Sequence, residues 1–127
     1  MRALAVFLAF VALPGMLAGC AMHPDAAPSE LIGKSVAGAA KEVPSGRSYA
    51  WYDLSQEVLH KEGSLIGGDD PDGAGGVIIA VCANANTLGK SSKITAGAIP
   101  KSDYHGPIRR KAEAGEYRTL LPECQPQ

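Results

Sequence analysis

The residues of this chain that could carry out chemistry are few and widely spaced. Cys82, with His60 or His105 as its base, has the residue types that nucleophilic catalysis uses. Acid–base chemistry of the glycosidase kind would need two carboxylates in one cleft, and the spacing of the acidic residues does not place any two together. An enzymatic activity would therefore require the fold to bring at least two of five side chains within hydrogen-bond distance in one pocket. These are Asp53, Glu57, His60, Asp103 and His105.

Motifs for binding a metal or a phosphate are incomplete. The histidines at 23, 60 and 105 lack the i, i+4 spacing of a metal-binding helix. Asp69-Asp70-Pro71-Asp72-Gly73 gathers three carboxylates, but not in the alternating order of a calcium-binding loop. Gly33-Lys34-Ser35 matches the end of a phosphate-binding loop without its leading glycine or preceding strand. We therefore expect no bound metal and no cofactor. We expect Asp69, Asp70 and Asp72 to lie in a solvated loop.

The amino-terminal segment has the organisation of a secretory signal. Arg2 precedes an apolar run of about a dozen residues. A membrane-spanning helix needs about 20 apolar residues, and Pro14 and Gly15 interrupt this run earlier. We therefore predict export, with a signal peptide over residues 1–19, and the alternative is a retained anchor helix.

Leu17-Ala18-Gly19-Cys20 follows the apolar run and resembles the lipobox of bacterial lipoprotein precursors. That pattern is a branched apolar residue, a small residue, Gly or Ala, and then Cys. The resemblance implies a diacylglyceryl group on the Cys20 thiol and cleavage before Cys20, with acylation of the new amino group as a further step. Two acyl chains hold a protein stably on a bilayer. The chain is therefore expected on the extracytoplasmic side, in the periplasm or at the cell surface, and the alternative is an ordinary signal with an unrelated cysteine.

The length beyond the signal allows one small domain. Residues 20–30 contain two prolines without apolar periodicity and predict a flexible tether. Residues 31–127 then form a single domain. The chain has 12 basic and 13 acidic residues, and a nucleic-acid partner is not expected because the basic surface that neutralises phosphates is missing. The Arg109-Arg110-Lys111 cluster is interpreted as a solvated helix face.

Lipidation of Cys20 leaves Cys82 and Cys124 as a pair in an oxidising compartment. We predict a disulfide between them, which would close a loop of about 43 residues and contribute roughly 4 kcal/mol in the chain-entropy treatment. The bond would pin a carboxy-terminal extension over residues 100–127. It would also remove Cys82 as a nucleophile.

Two helices are predicted. Four apolar residues from Val36 to Val43 recur at i, i+3, i+4 and i+7, with Ser35 as the N-cap and Pro44 as the stop. A second helix is predicted from Pro107 to a glycine cap at Gly115. Residues 116–121 are expected to be a short edge strand or an extended tail.

Three strands are predicted between these helices. Residues 47–54 are rich in aromatic residues, place Tyr49 and Trp51 on one face, and are expected to continue or bend through residues 58–59. Residues 77–83 form the most apolar run after the signal and predict a strand buried on both faces. Residues 93–99 end at Pro100. The expected fold is α+β, with one short helix packed on a small, mostly antiparallel three-stranded sheet.

Leu31-Ile32-Gly33-Lys34-Ser35-Val36, with an alanine following at 39 or 40, is similar to the start of a PASTA domain. That family is a small module of one helix and three strands found on penicillin-binding proteins and serine/threonine kinases. The similarity covers about residues 31–99, and Cys82-Ala83-Asn84-Ala85-Asn86-Thr87 departs from the proline-containing turn that usually follows the family's middle strand. The resemblance implies noncatalytic binding near peptidoglycan.

Two functional hypotheses follow. The favoured one is a lipid-anchored, noncatalytic binding or structural module of the cell envelope, whose partner is peptidoglycan or an envelope protein. Its contact surface would be a stacking platform at Tyr49 and Trp51 or the glycine-rich loop 67–76, although such aromatic residues also fill cores. The alternative is a small envelope enzyme or enzyme inhibitor.

Overall fold

Three helices and three strands form the regular structure of residues 25–63 and 75–124, which are the residues that a computed structural model of the protein describes. The predicted signal peptide, Cys20 and the aspartates of loop 67–74 lie outside them. The helices are α1 (Val36–Glu42), α2 (Ser55–Leu59) and α3 (Gly106–Glu113), and the strands are β1 (Ser48–Asp53), β2 (Gly76–Ala83) and β3 (Lys93–Pro100). Short 3-10 turns lie at Pro28–Leu31, Lys101–Asp103, Glu116–Leu120 and Pro122–Cys124.

β3 is the central strand of the sheet, which has the order β1-β3-β2. β2 pairs with β3 in the antiparallel sense, and β1 pairs with β3 in the parallel sense from Ser48↔Lys93 to Asp53↔Ala98. The predicted α+β fold is therefore confirmed. The sheet is mixed, since one of its two pairings is parallel.

β2 is buried on both faces, as its uninterrupted apolar sequence predicts. Its register on β3 shifts between Ile78 and Ala80 because Ile79 is an extra residue, a β-bulge. Ile78 packs on one side of the sheet, whereas Ile79 and Ala80 both pack on the other.

Separate apolar clusters cover the two faces of the sheet. We call them the α1 face and the α3 face after the helix that lies on each. The α1 face buries Ala26, Leu31, Val36, Ala39, Val43, Ile78, Val81, Leu88, Ile94, Ala96 and Ala98. The α3 face buries Leu54, Ile79, Ala80, Cys82, Ile99, Ala112 and Leu121.

α1 begins and ends where its sequence predicts. Ser35 is the N-cap, and its hydroxyl accepts a hydrogen bond from the Gly38 amide at 2.9 Å. Val36 and Ala39 face the core, and the helix ends at Glu42, two residues before Pro44. An ion pair between Lys34 and Glu42 spans its length.

Of the two alternatives expected after β1, that it continues or bends through residues 58–59, continuation is wrong, because α2 occupies that segment. The Asp53 carboxylate accepts hydrogen bonds from the Ser55 amide at 2.9 Å and from the Ser55 hydroxyl at 2.5 Å. These bonds turn the chain out of the sheet and stabilise the first turn of the helix.

The chain after α3 also differs from its prediction. α3 itself is confirmed, with Pro107 in its first turn and Gly115 at φ +77° just past its end. Residues 116–120 then form a 3-10 turn rather than an edge strand. The predicted disulfide joins Cys82 of β2 to Cys124, with Cα atoms 5.8 Å apart, and Leu121 beside it is fully buried.

Part of the segment predicted as a tether packs against the domain. Ala26 is buried, and its carbonyl accepts a hydrogen bond from the Leu88 amide at 2.9 Å. The 3-10 turn at Pro28–Leu31 follows and buries Leu31. Residues 26–31 of the predicted tether and its boundary therefore pack against the domain.

Candidate functional site

The outer edge of β2 is covered at one end and open at the other. The Gly33 amide donates to the Ile78 carbonyl at 2.8 Å, and the Ile78 amide donates to the Lys34 carbonyl at 2.9 Å. Beyond Ile78 this cover ends, and the edge from Ala80 to Ala83 lies at the base of a groove of about 430 Å³. We call this cavity the β2-edge groove.

Three segments of the chain line the β2-edge groove. β2 supplies its base, and the polar turn after β2 continues it. The segment that leads to α1 supplies one side, and the segment after α3 supplies the other. In chain order the lining residues are Pro28, Ser29, Ile32, Ala80, Val81, Ala83, Asn84, Ala85, Asn86, Gly115 and Arg118.

The main chain of β2 presents hydrogen-bonding groups to this groove. The Asn84 amide donates inward to the Lys93 carbonyl of β3 at 3.4 Å. Because successive residues of an antiparallel strand point their amide and carbonyl to alternate sides, those of Val81 and Ala83 point outward. No residue of the described chain pairs with this stretch, so it can accept the main chain of an extended ligand.

Arg118 is the one charged side chain among the described residues that line the groove. It is exposed, its Nε donates to Cys124 Sγ at 3.2 Å, and it forms no ion pair with a carboxylate of residues 25–63 or 75–124. The lining described here holds no carboxylate, imidazole or free thiol. The Arg118 guanidinium gives the groove a group that can bind an anion.

The carboxy-terminal extension places Arg118. Gly115 turns the chain at the end of α3, and the Arg118 amide donates to the Gly115 carbonyl at 3.3 Å. The Leu121 amide donates to the Arg118 carbonyl at 3.1 Å. Since Cys124 is bonded to Cys82, the disulfide fixes this side of the groove to the strand that forms its base.

Asn84 has a structural role at the rim of the groove. Its side-chain carbonyl accepts from the amides of Ser92 and Lys93 at 2.9 and 3.2 Å, and its amide donates to the Ser92 hydroxyl at 2.7 Å. These bonds hold the turn between β2 and β3 closed. Besides Asn84 and Arg118, the polar side chains among the described lining residues are Ser29 and Asn86.

Tyr49 and Trp51 lie on one face of β1, as predicted, and both pack half-buried against the α1-face core. The Tyr49 hydroxyl donates to the Val36 carbonyl at 3.4 Å, and burial raises the pKa of Tyr49 to about 12. Tyr52 is on the opposite face and more exposed, with its hydroxyl donating to Glu123 at 3.3 Å. The three aromatic residues of β1 are thus divided between the two faces of the sheet.

The side chains considered for catalysis make separate contacts. Asp53 holds Ser55 at the start of α2, and Asp103 pairs with Lys61 at 3.2 Å. His60 ends α2 with φ +55° and lines a shallow depression. Cys82 is committed to the disulfide.

The described residues contain no group of three His, Cys, Asp or Glu side chains that could hold a metal ion. No helix among the described residues is both long and apolar enough to cross a membrane.

Sequence reasoning did not find the β2-edge groove. Its walls come from segments about 90 residues apart in the chain, and each looks like an ordinary turn on its own. Searches against protein-family models, curated proteins and solved structures found no match to this chain.

Proposed function

We propose that this protein is a lipid-anchored, noncatalytic binding module of the cell envelope, and that the β2-edge groove binds the peptide part of peptidoglycan. The observation that carries the proposal is that one groove contains both an open strand edge and an arginine that forms no ion pair with the described residues.

The chemistry of such a ligand matches the groove. A short extended peptide can pair its main chain with Val81 and Ala83, as peptides do when they add to a sheet edge. Its free carboxylate can bind the Arg118 guanidinium, whose planar fork of donors suits carboxylates. Ser29 and Asn86 supply neutral hydrogen bonds beside it.

The sequence supports the envelope location. The signal segment and Leu17-Ala18-Gly19-Cys20 favour export and acylation of Cys20. The Cys82–Cys124 disulfide is consistent with an oxidising compartment.

Co-sedimentation with purified peptidoglycan tests the binding step. We expect the wild-type protein to sediment with intact sacculi, and to do so poorly once an amidase has removed the peptide stems. Arg118→Glu should lower the apparent affinity about tenfold or more, because a charge-assisted hydrogen bond contributes about 1.5–3 kcal/mol and reversal adds repulsion.

Arg110→Glu is the matched control. Arg110 is exposed on α3, outside the groove's lining, and the substitution makes the same change in charge. Failure of the wild-type protein to sediment would overturn the proposal, as would equal binding by both variants. Loss of binding in Trp51→Ala alone would move the site to the aromatic face of β1.

Mass spectrometry tests the anchor. The wild-type protein should lose residues 1–19 and gain the mass of its acyl chains, whereas Cys20→Ala should gain none. An unlipidated wild-type product would contradict the anchor without affecting the peptidoglycan result.

A further inference from the structure

The point where the chain enters its fold limits how far the domain can lie from an acylated Cys20. Only residues 21–25 separate Cys20 from Ala26, which is buried and hydrogen-bonded to Leu88. A chain extends at most about 3.3–3.6 Å per residue, so this linker spans about 20 Å. With Cys20 acylated as proposed, the short linker therefore holds the surface around Ala26 next to the bilayer.

That surface lies at one end of the sheet. Leu88 belongs to the turn between β2 and β3, and the Ser48 amide at the start of β1 donates to the Ser92 carbonyl of the same turn at 2.9 Å. The Arg47 guanidinium donates to the Gly89 carbonyl at 2.6 Å. We call this region, formed by Ala26, Arg47 and residues 84–93, the basic end.

The basic end carries cations that have no acidic partner within the described chain. Arg47 and Lys90 are both exposed, and neither is in a salt bridge there. Lys93 pairs with Glu123 at 3.6 Å, and Asp25 is the acidic residue next to Ala26.

The opposite end of the sheet is different in charge. Lys61 is paired there with Asp103 at 3.2 Å, and Glu57 and Glu62 are exposed nearby on and after α2. Lys101 follows the end of β3 at this end and is exposed. The charges favour the approach of the basic end to an anionic surface.

We propose that the basic end rests on the membrane, with Arg47 and Lys90 contacting anionic phospholipid headgroups and fixing the orientation of the domain. The inference rests on the proposed acylation of Cys20. Juxtamembrane cations attract anionic lipid and act only within about a Debye length of the surface, a distance that the short linker enforces. Because residues 84–86 belong to both the basic end and the lining of the β2-edge groove, the groove then lies beside the bilayer.

Lysine acetylation of the lipidated protein on vesicles tests the orientation. Lys90 and Lys101 provide an internal comparison, since both are exposed and lie at opposite ends of the sheet. On vesicles of phosphatidylcholine with one third phosphatidylglycerol, we expect Lys90 to react at least about fivefold more slowly than on phosphatidylcholine alone. Lys101 should react equally on both, and molar salt should remove the difference because the Debye length falls to about 3 Å.

Substitutions at the basic end separate charge from local structure. Arg47→Gln should reduce the protection of Lys90 by about threefold or more, whereas Arg47→Lys, which keeps the charge but loses the planar fork, should preserve it. Lys101→Gln is the control at the other end and should leave Lys90 unchanged.

The failure of this inference is distinguishable from the failure of the anchor. A lipidated, vesicle-bound protein whose Lys90 and Lys101 react alike on both vesicles would overturn the orientation while leaving the anchor intact. Protection of Lys90 that appears without anionic lipid and grows with protein concentration would also overturn it, and would identify a second copy of the chain as the occupant of this surface.

Discussion

The two faces of the sheet are covered by different means. The α1 face is closed by a capped helix whose apolar residues recur with helical periodicity, and by the turn at Pro28–Leu31. On the α3 face, helix α3 contributes one fully buried side chain, Ala112, and most of its remaining residues are charged and exposed. Leu121 and the Cys82–Cys124 bond complete the cover there.

This contrast shows where a small domain needs a covalent link. A helix with an apolar face is held by burial, at about 25 cal/mol per Å² of apolar surface. A covering segment made of 3-10 turns has few side chains to bury and weaker hydrogen-bond geometry. The disulfide therefore lies on the face of the sheet where noncovalent packing is less extensive.

The largest expected effect comes from breaking that disulfide. Reduction, or the double substitution Cys82→Ala with Cys124→Ala, should lower the free energy of unfolding by about 4 kcal/mol, within a range of 2–5. Urea denaturation of the oxidised and reduced wild-type protein measures the change without substituting any residue.

Hydrogen exchange in the reduced protein compares the stability of the two faces of the sheet. In the reduced protein, amides of the 116–120 turn should exchange much faster, whereas amides of α1 should change less. Uniform loss of protection on both faces would contradict the idea that the link acts mainly on the α3 face. Reductant should have no effect on the double variant.

A smaller effect is expected at Gly97, where β3 makes room for side chains of the α3 face. A Cβ atom here would lie 2.2 Å from Leu54 Cδ1 and 3.2 Å from Leu121 Cδ2. Gly97→Ala should therefore destabilise the protein by about 1–3 kcal/mol through overpacking, as measured by urea denaturation.

A double-mutant cycle with Leu54→Ala tests the cause. Removing the Leu54 side chain should make the added methyl group much less costly, because the closest clash disappears. Strictly additive effects would show that the cost of Gly97→Ala comes from elsewhere in β3.

A further effect is expected on the α1 face, and only at high pH. Burial raises the pKa of Tyr49 from 10 to about 12, so an unfolded chain releases this proton first as the pH rises. The stability that Tyr49 contributes should be complete below pH 10 and decline between pH 10 and 12. The free energy of unfolding of Tyr49→Phe should fall less steeply over that interval than that of the wild type, and parallel curves would contradict the assignment.

The elements with local signals could be predicted from the sequence. α1 has its cap and its apolar spacing, β2 has its uninterrupted apolar run, and α3 has Pro107 and Gly115 at its two ends. The disulfide followed from the number of cysteines that remain once Cys20 is set aside.

The features that depend on distant contacts could not be predicted in this way. The parallel pairing of β1 with β3 is decided by packing rather than by either strand's residues. The β2-edge groove depends on where the chain after Gly115 crosses β2. The helix α2 is a different case, because it has a local signal. Asp53 and Ser55 are residue types that begin helices, so this helix could have been predicted.

The place of β3 in the sheet also bears on the order in which the domain folds. β2 and β3 are joined by a short turn, so this hairpin can form early from local contacts. β1 has no strand partner until β3 exists, and pairing Ser48 with Lys93 closes a loop of about 45 residues. We expect the docking of β1, together with α1, to be the slow step of folding, with the aromatic strand left exposed to solvent until it occurs.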